Sequence, residues 1–174
     1  MERTKEQVIE EMKVKANKMV SDYIYTKRIP SVAVMDEEWR AELIEALKSG
    51  KYTAGLYKLK SKVANQIPAQ KDNLTPCYCA LGVLGDLAVD KNFGVAWNND
   101  MLIYRDNLTT ASTVQIPVNL WHFFGINEET MVSISALSDR WISMLYKNIS
   151  EYQDVIKEIQ FLPVINFLER SNVN

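Results

Sequence analysis

The sequence predicts one α+β domain: helices packed on a small antiparallel sheet or hairpin, with an amphipathic helix at the N-terminus. Three observations predict it. Apolar residues recur at helical spacing in several segments, the pattern switches to alternation near residues 93–104, and 174 residues at 47% apolar content suffice for a core.

Residues 5 to 25 place Ile9, Met12, Ala16, Met19 and Tyr23 at a 3-4-3-4 spacing, which gives a helix with one narrow apolar seam. Glu11 and Lys15 lie on its charged face at the favourable i, i+4 offset. The seam serves either the chain's own core or a dimerising coil. About two heptads is short for a coil, which favours the core. Pro30 ends the pattern.

A second helix starts at Asp36, an N-cap followed by Glu37 and Glu38 at the positive end of the helix dipole. Trp39, Leu43, Ala46 and Leu47 form its stripe, and Gly50 stops it. Within Thr53 to Val63, Leu56-Tyr57-Lys58-Leu59 reads as a strand, and Gln66 to Asn73 as a loop.

The third helix is the most apolar, with Thr75 as cap, Pro76 at the first helical position and Ala80 to Val89 following. Gly82 and Gly85 each cost a helix about 1 kcal/mol relative to Ala. Their presence points to another backbone approaching that face. Phe93 to Trp97 and Met101 to Tyr104 then form a hairpin around the polar turn Asn98-Asn99-Asp100. Val132 to Leu137 alternates with period two and reads either as a strand or as part of a helix capped by Asn127. The last helix opens at Ser150, with Gln153 placed for a capping box. Its stripe is Tyr152, Val155, Ile156 and Ile159, up to a break near Pro163.

Composition narrows the function classes. A net charge of −2 and the high apolar content exclude a disordered chain. No run approaches the roughly 18 apolar residues of a membrane span. A pI near 5.5 argues against a dedicated nucleic-acid binder. The charged start, Met1-Glu2-Arg3-Thr4-Lys5-Glu6, shows no signal peptide. Cys77 and Cys79 are too close to staple distant elements, so a reducing, cytoplasmic setting is expected.

Four segments carry a resemblance. They are Trp39 with Ala46-Leu47-Lys48-Ser49-Gly50-Lys51-Tyr52, then Cys79-Ala80-Leu81-Gly82-Val83-Leu84-Gly85-Asp86-Leu87. Ile116-Pro117-Val118-Asn119-Leu120-Trp121-His122-Phe123-Phe124-Gly125-Ile126 follows, and last Leu137-Ser138-Asp139 with Ser150 to Ile156. In this order the chain resembles a family of small, mostly uncharacterised phage and prophage proteins. That family's pattern runs W, AL-x-SG-x-Y, CCLGVLCDL, LP-x-x-V-x-x-W-x-G-L and LND. Ala80 and Gly85 stand where the pattern carries cysteines, and Ser138 where it carries Asn. The resemblance implies a phage setting and no particular reaction, and the missing cysteines remove a multi-cysteine metal or redox role. Residues 1–174 are then one domain, with 1–30 the N-terminal helix and 36–162 the family-like core.

Two sets of residues could carry chemistry. Cys79 near a helix N-terminus and His122, the only histidine, form the one nucleophile–base candidate, with Asp86 or Asp139 to orient the imidazole. Against it, a cysteine on an Ala/Leu/Gly helix is ordinarily a small buried side chain. Cys77-x-Cys79 is too short for a zinc knuckle, and no cofactor or metal is expected. The second set is Lys51, Tyr52, Trp97, Asn98, Asn99, Tyr104 and Arg105. Aromatic faces, an Arg fork and amides are the groups that hold a base and a phosphate. Asp86, if buried, needs a partner such as Arg105.

The expected function is a non-enzymatic anti-defence binder that sequesters a nucleotide-like signalling molecule. A cysteine-dependent hydrolase or transferase is one alternative. A protein that oligomerises through the N-terminal helix and binds a host defence protein is the other.

Overall fold

In the computed structural model of the protein, residues 2–29, 32–62, 76–91, 94–105 and 112–170 are described. Thr4 and Gln7 open the first helix, α1 (Lys5–Lys27), with a reciprocal capping box. Its buried stripe is Val8, Met12, Ala16, Val20 and Tyr23, while Ile9 and Met19 are only half-buried at its edges. Both still pack against the core, so the expected seam is met, with Val8 and Val20 added along its centre. The ridge that docks follows i, i+4 rows, and such a row passes through Val8 and Val20 rather than their larger neighbours. It packs within the chain, against α5 (Glu128–Asn148), α6 (Gln153–Ile159) and above all α7 (Leu162–Glu169). Asn166 donates to Asn17 at 2.9 Å and Arg170 to Ser21 at 3.1 Å along that contact. Pro30 lies outside the described residues.

Asp36 caps α2 (Glu37–Lys48), its carboxylate accepting from the Glu38 and Trp39 amides at 3.0 and 3.2 Å. Leu43 and Leu47 are buried, and Gly50 turns the chain with φ +76°. Three short strands follow: β1 (Thr53–Ala54), β2 (Lys60–Lys62) and β3 (Pro76–Tyr78). Their order is β1-β3-β2, with β1 parallel and β2 antiparallel to the central β3, so this sheet is mixed rather than antiparallel. Leu56 to Leu59 is not a strand. Tyr57 takes a left-handed φ of 67°, and the Leu59 amide donates to the Thr113 carbonyl at 2.7 Å, outside any ladder. Thr75 and the expected loop at 66–73 lie outside the described residues.

Pro76 begins β3 instead of a helix, a strand position that proline tolerates. Cys79 is the N-cap of α3 (Ala80–Asp90). The glycines of α3 divide: a Cβ on Gly82 would lie 1.7 Å from the Leu59 carbonyl oxygen, whereas one on Gly85 would meet the Leu102 side chain at 2.9 Å. Only the first marks a backbone approach.

The hairpin forms from β4 (Val95–Asn98) and β5 (Met101–Tyr104), paired Val95 to Tyr104 and Trp97 to Leu102. Its turn is shorter than expected, since Asn98 is in the strand and Asn99 adopts φ 56°. Phe93 lies outside the described residues. A 3-10 turn (Val118–Leu120) and the short α4 (Trp121–Phe124) lead to Gly125 and α5. Asn127 caps α5 by accepting from the Thr130 amide at 2.9 Å, which settles the ambiguity at Val132–Leu137 in favour of helix. The capping box at Ser150 does not form. Tyr152 is the N-cap of α6, and the Gln153 amide reaches the Ser150 carbonyl instead at 2.6 Å. The expected break near Pro163 falls at Gln160 and Phe161, and Pro163 then sits in the first turn of α7.

Helices thus dominate, packed with two small sheets around one core that runs from Val8 to Leu168, an α+β architecture with an N-terminal amphipathic helix. Trp141 is fully buried within it, its indole N–H held by the Ile159 carbonyl at 2.7 Å. No helix among the described residues is long and apolar enough to cross a membrane.

Candidate functional site

Tyr52, just before β1, is buried, and its hydroxyl donates to Asp86 Oδ2 at 2.8 Å. The Trp97 indole N–H of β4 donates to Asp86 Oδ1 at 3.0 Å. One half-buried carboxylate on α3 therefore joins the segment after α2 to the hairpin. Both of its oxygens take a neutral donor, which meets the acceptor needs of a charge partly withdrawn from water. Arg105 is not its partner: that side chain is exposed, with its guanidinium 4.8 Å from the Tyr104 ring centre.

Aromatic rings surround the carboxylate. Tyr78 meets the Tyr52 ring edge-on at 5.1 Å and lies 6.3 Å from the Trp97 ring. Lys60 on β2 holds its ammonium 5.1 Å from the Trp97 ring and 5.8 Å from Tyr78. Burial, then the hydrogen bond and charge of Asp86, hold the Tyr52 phenol well above its ordinary pKa. Burial, with the charges of Asp86 and Asp90 behind it, pushes Tyr78 up to about 12. Both phenols stay neutral donors across the physiological range.

Cross-strand pairing fixes which residues share a face. Val95, Trp97, Leu102 and Tyr104 share the face turned to α3, where Leu102 packs on Gly85. Asn98 pairs with Met101 on the opposite face, and Asn99 is exposed at the turn. Lys51 is exposed beside the cluster, 3.8 Å from Asp90 and 5.5 Å from the Tyr52 ring. It borders a shallow groove of about 420 Å³ that Tyr52, Leu87, Glu42 and Glu45 also line.

Of the expected ligand residues, the fold brings Lys51, Tyr52 and Trp97 together. Tyr104 and Arg105 lie further along the same hairpin, and Asn98 faces away. Lys60 and Tyr78 were not anticipated. Only the alternation of Lys58 and Lys60 beside aromatic residues hinted at them. Gln160 was also missed. It is buried, accepts the Ala54 amide at 2.9 Å and donates to the Tyr52 carbonyl, so one amide fixes the backbone that presents Tyr52. A lone amide inside the run Ile159-Gln160-Phe161-Leu162 was its signal.

The other candidate set is held apart by burial. Cys79 is 2% exposed, and burial pushes its thiol up to about 12 despite the amides at the start of α3. Burial likewise raises Cys77 to about 11. His122 is exposed on α4, and no hydrogen bond among the described residues joins it to Cys79. Asp139 accepts the Tyr57 amide at 3.0 Å and so pins the left-handed Tyr57; burial raises its carboxyl above the ordinary value. Among the described residues no three His, Cys, Asp or Glu side chains are grouped to hold a metal.

No family model matches the chain, and neither the curated proteins nor the solved structures include one significantly similar to it.

Proposed function

We propose that the protein is a non-enzymatic binding protein that sequesters a nucleotide-like small molecule on the hairpin side of the Asp86 cluster, in the setting of phage–host conflict. The observation that carries this reading is the pair of cations resting on hairpin aromatics, Lys60 over Trp97 and Arg105 over Tyr104. A flat base takes the exposed part of the Trp97 ring, and Lys60 swings from the ring to a phosphate. Stacking contributes about 1–3 kcal/mol per base. Arg105 and Lys51 supply further charge for the phosphates. Asp86 keeps the indole oriented and does not touch the ligand. Burial of Cys79, with its thiol pushed up to about 12, weighs against the cysteine-nucleophile alternative.

The test is calorimetric titration with a panel of linear and cyclic nucleotides, followed by heat release and mass spectrometry of the bound fraction. Saturable binding, intact recovery and loss of binding in a folded Trp97→Ala protein support the reading. Absence of binding across the panel, or recovery of a converted product, overturns it.

A further inference from the structure

Lys60 is held without a counter-ion. Its ammonium lies 5.1 Å from the centre of the Trp97 ring and 5.8 Å from that of Tyr78, and it makes no ion pair among the described residues. The other lysines near the Asp86 cluster differ, since Lys51 lies 3.8 Å from Asp90 and Lys91 is paired with Glu42. A half-buried ammonium resting on two ring faces alone marks those faces as a seat for a cation.

The rings are prepared for that role. Their centres are 6.3 Å apart and their planes tilted by 57°, so the two faces form a notch. The Trp97 indole N–H donates to the Asp86 carboxylate at 3.0 Å, and an anionic acceptor polarises the ring and deepens the negative potential of its face. The charges of Asp86 and Asp90 reach Tyr78 as well. Asp86 also holds the Tyr52 hydroxyl at 2.8 Å, and the Tyr52 ring braces Tyr78 edge-on at 5.1 Å, which fixes the notch before any ligand arrives.

If Lys60 leaves the notch for a phosphate, the seat loses its cation. A neutral base restores the stacking but not the charge, whereas a positively charged base restores both. We propose that the site selects a nucleotide whose base is cationic, such as a purine methylated on a ring nitrogen, with that base on Trp97 and its phosphate on Lys60. The inference rests on the nucleotide-sequestration reading and names the ligand class within it.

The experiment is calorimetric titration of the full chain with matched pairs, GMP against 7-methyl-GMP and AMP against 1-methyl-AMP, in mildly acidic buffer where the methylated bases carry their charge. The methylated member of each pair binds about tenfold more tightly. Raising the pH until the 7-methylguanine base loses a proton, and with it its net charge, brings its affinity back towards that of GMP, a check that needs no variant. Asp86→Asn keeps an acceptor for the indole and removes the charge, so it narrows the gap in a chain whose thermal melt shows it folded. Equal affinity within both pairs overturns the inference and leaves the sequestration reading standing. A gap that survives the pH change also overturns it, by showing contact with the methyl group rather than attraction to charge. Absence of binding by all four nucleotides overturns both.

Discussion

The phenol of Tyr52 and the carboxylate of Asp86, thirty-four positions apart, are joined by a 2.8 Å hydrogen bond that ties the end of α2 to α3. Asp86→Ala strands the Tyr52 hydroxyl in a buried site, at a cost of about 1–3 kcal/mol. Trp97 is half-exposed, so water can replace its lost acceptor and its share is small. Urea unfolding of Asp86→Ala and Tyr52→Phe checks the assignment. A midpoint unchanged in both variants contradicts it.

Stability falls on the alkaline side. The thiols of Cys77 and Cys79 rise from 9.0 to about 11 and 12, and Tyr78 rises from 10.0 to about 12. Each group keeps its proton in the folded chain at a pH where the unfolded chain has released it. Raised folded values therefore contribute stability that is complete below about pH 9 and is lost as pH climbs towards 12. Each fully mismatched group adds a slope of about 1.4 kcal/mol per pH unit. Guanidinium midpoints between pH 8 and 11 should drop, and Cys79→Ala should flatten the drop.

The two glycines of α3 should respond differently to the same change. Gly82→Ala drives a methyl into the Leu59 carbonyl, a backbone atom that cannot step aside. Overpacking of this kind costs about 1–3 kcal/mol, more than the helix gains from alanine. Gly85→Ala meets only the tip of Leu102, and that side chain can turn. Thermal melts should show a clear loss for the first and a smaller change for the second.

Val8 is fully buried whereas Ile9 is only partly so, although Ile9 is the larger residue. Val8→Ala should destabilise by about 1–2.5 kcal/mol, and Ile9→Ala by less than about 1 kcal/mol. Equal losses in chemical denaturation would mean that the docked ridge is misassigned.

That pair also shows where the sequence was legible. Helix existence followed from periodicity and caps, as at Asp36 and Asn127, because those signals are local. Which neighbour of a ridge is buried depends on the crossing with α7, and no local pattern contains that. The β-hairpin is readable from its turn, whereas Pro76–Tyr78 reads as the start of a helix because a three-residue strand leaves too short a period to detect. At the site, Tyr52 and Trp97, grouped by residue type in the sequence, share one acceptor, Asp86. For that anchor, sign of charge offers Arg105 as one example of a partner if Asp86 is buried, whereas two neutral donors suffice. Gln160 is more than a hundred positions from Tyr52, and Lys60 reaches Trp97 only through the fold.

The docking of α1 on α7 has a consequence during synthesis. The first helix leaves the ribosome with Val8, Met12, Ala16, Val20 and Tyr23 lacking the surface they finally cover. More than a hundred residues must still be translated, which at roughly 5–20 residues per second takes on the order of ten seconds. The nascent chain thus carries an uncovered apolar stripe for most of its synthesis. A product interrupted before Leu162 never covers it fully, which makes such fragments natural clients for chaperones and proteases.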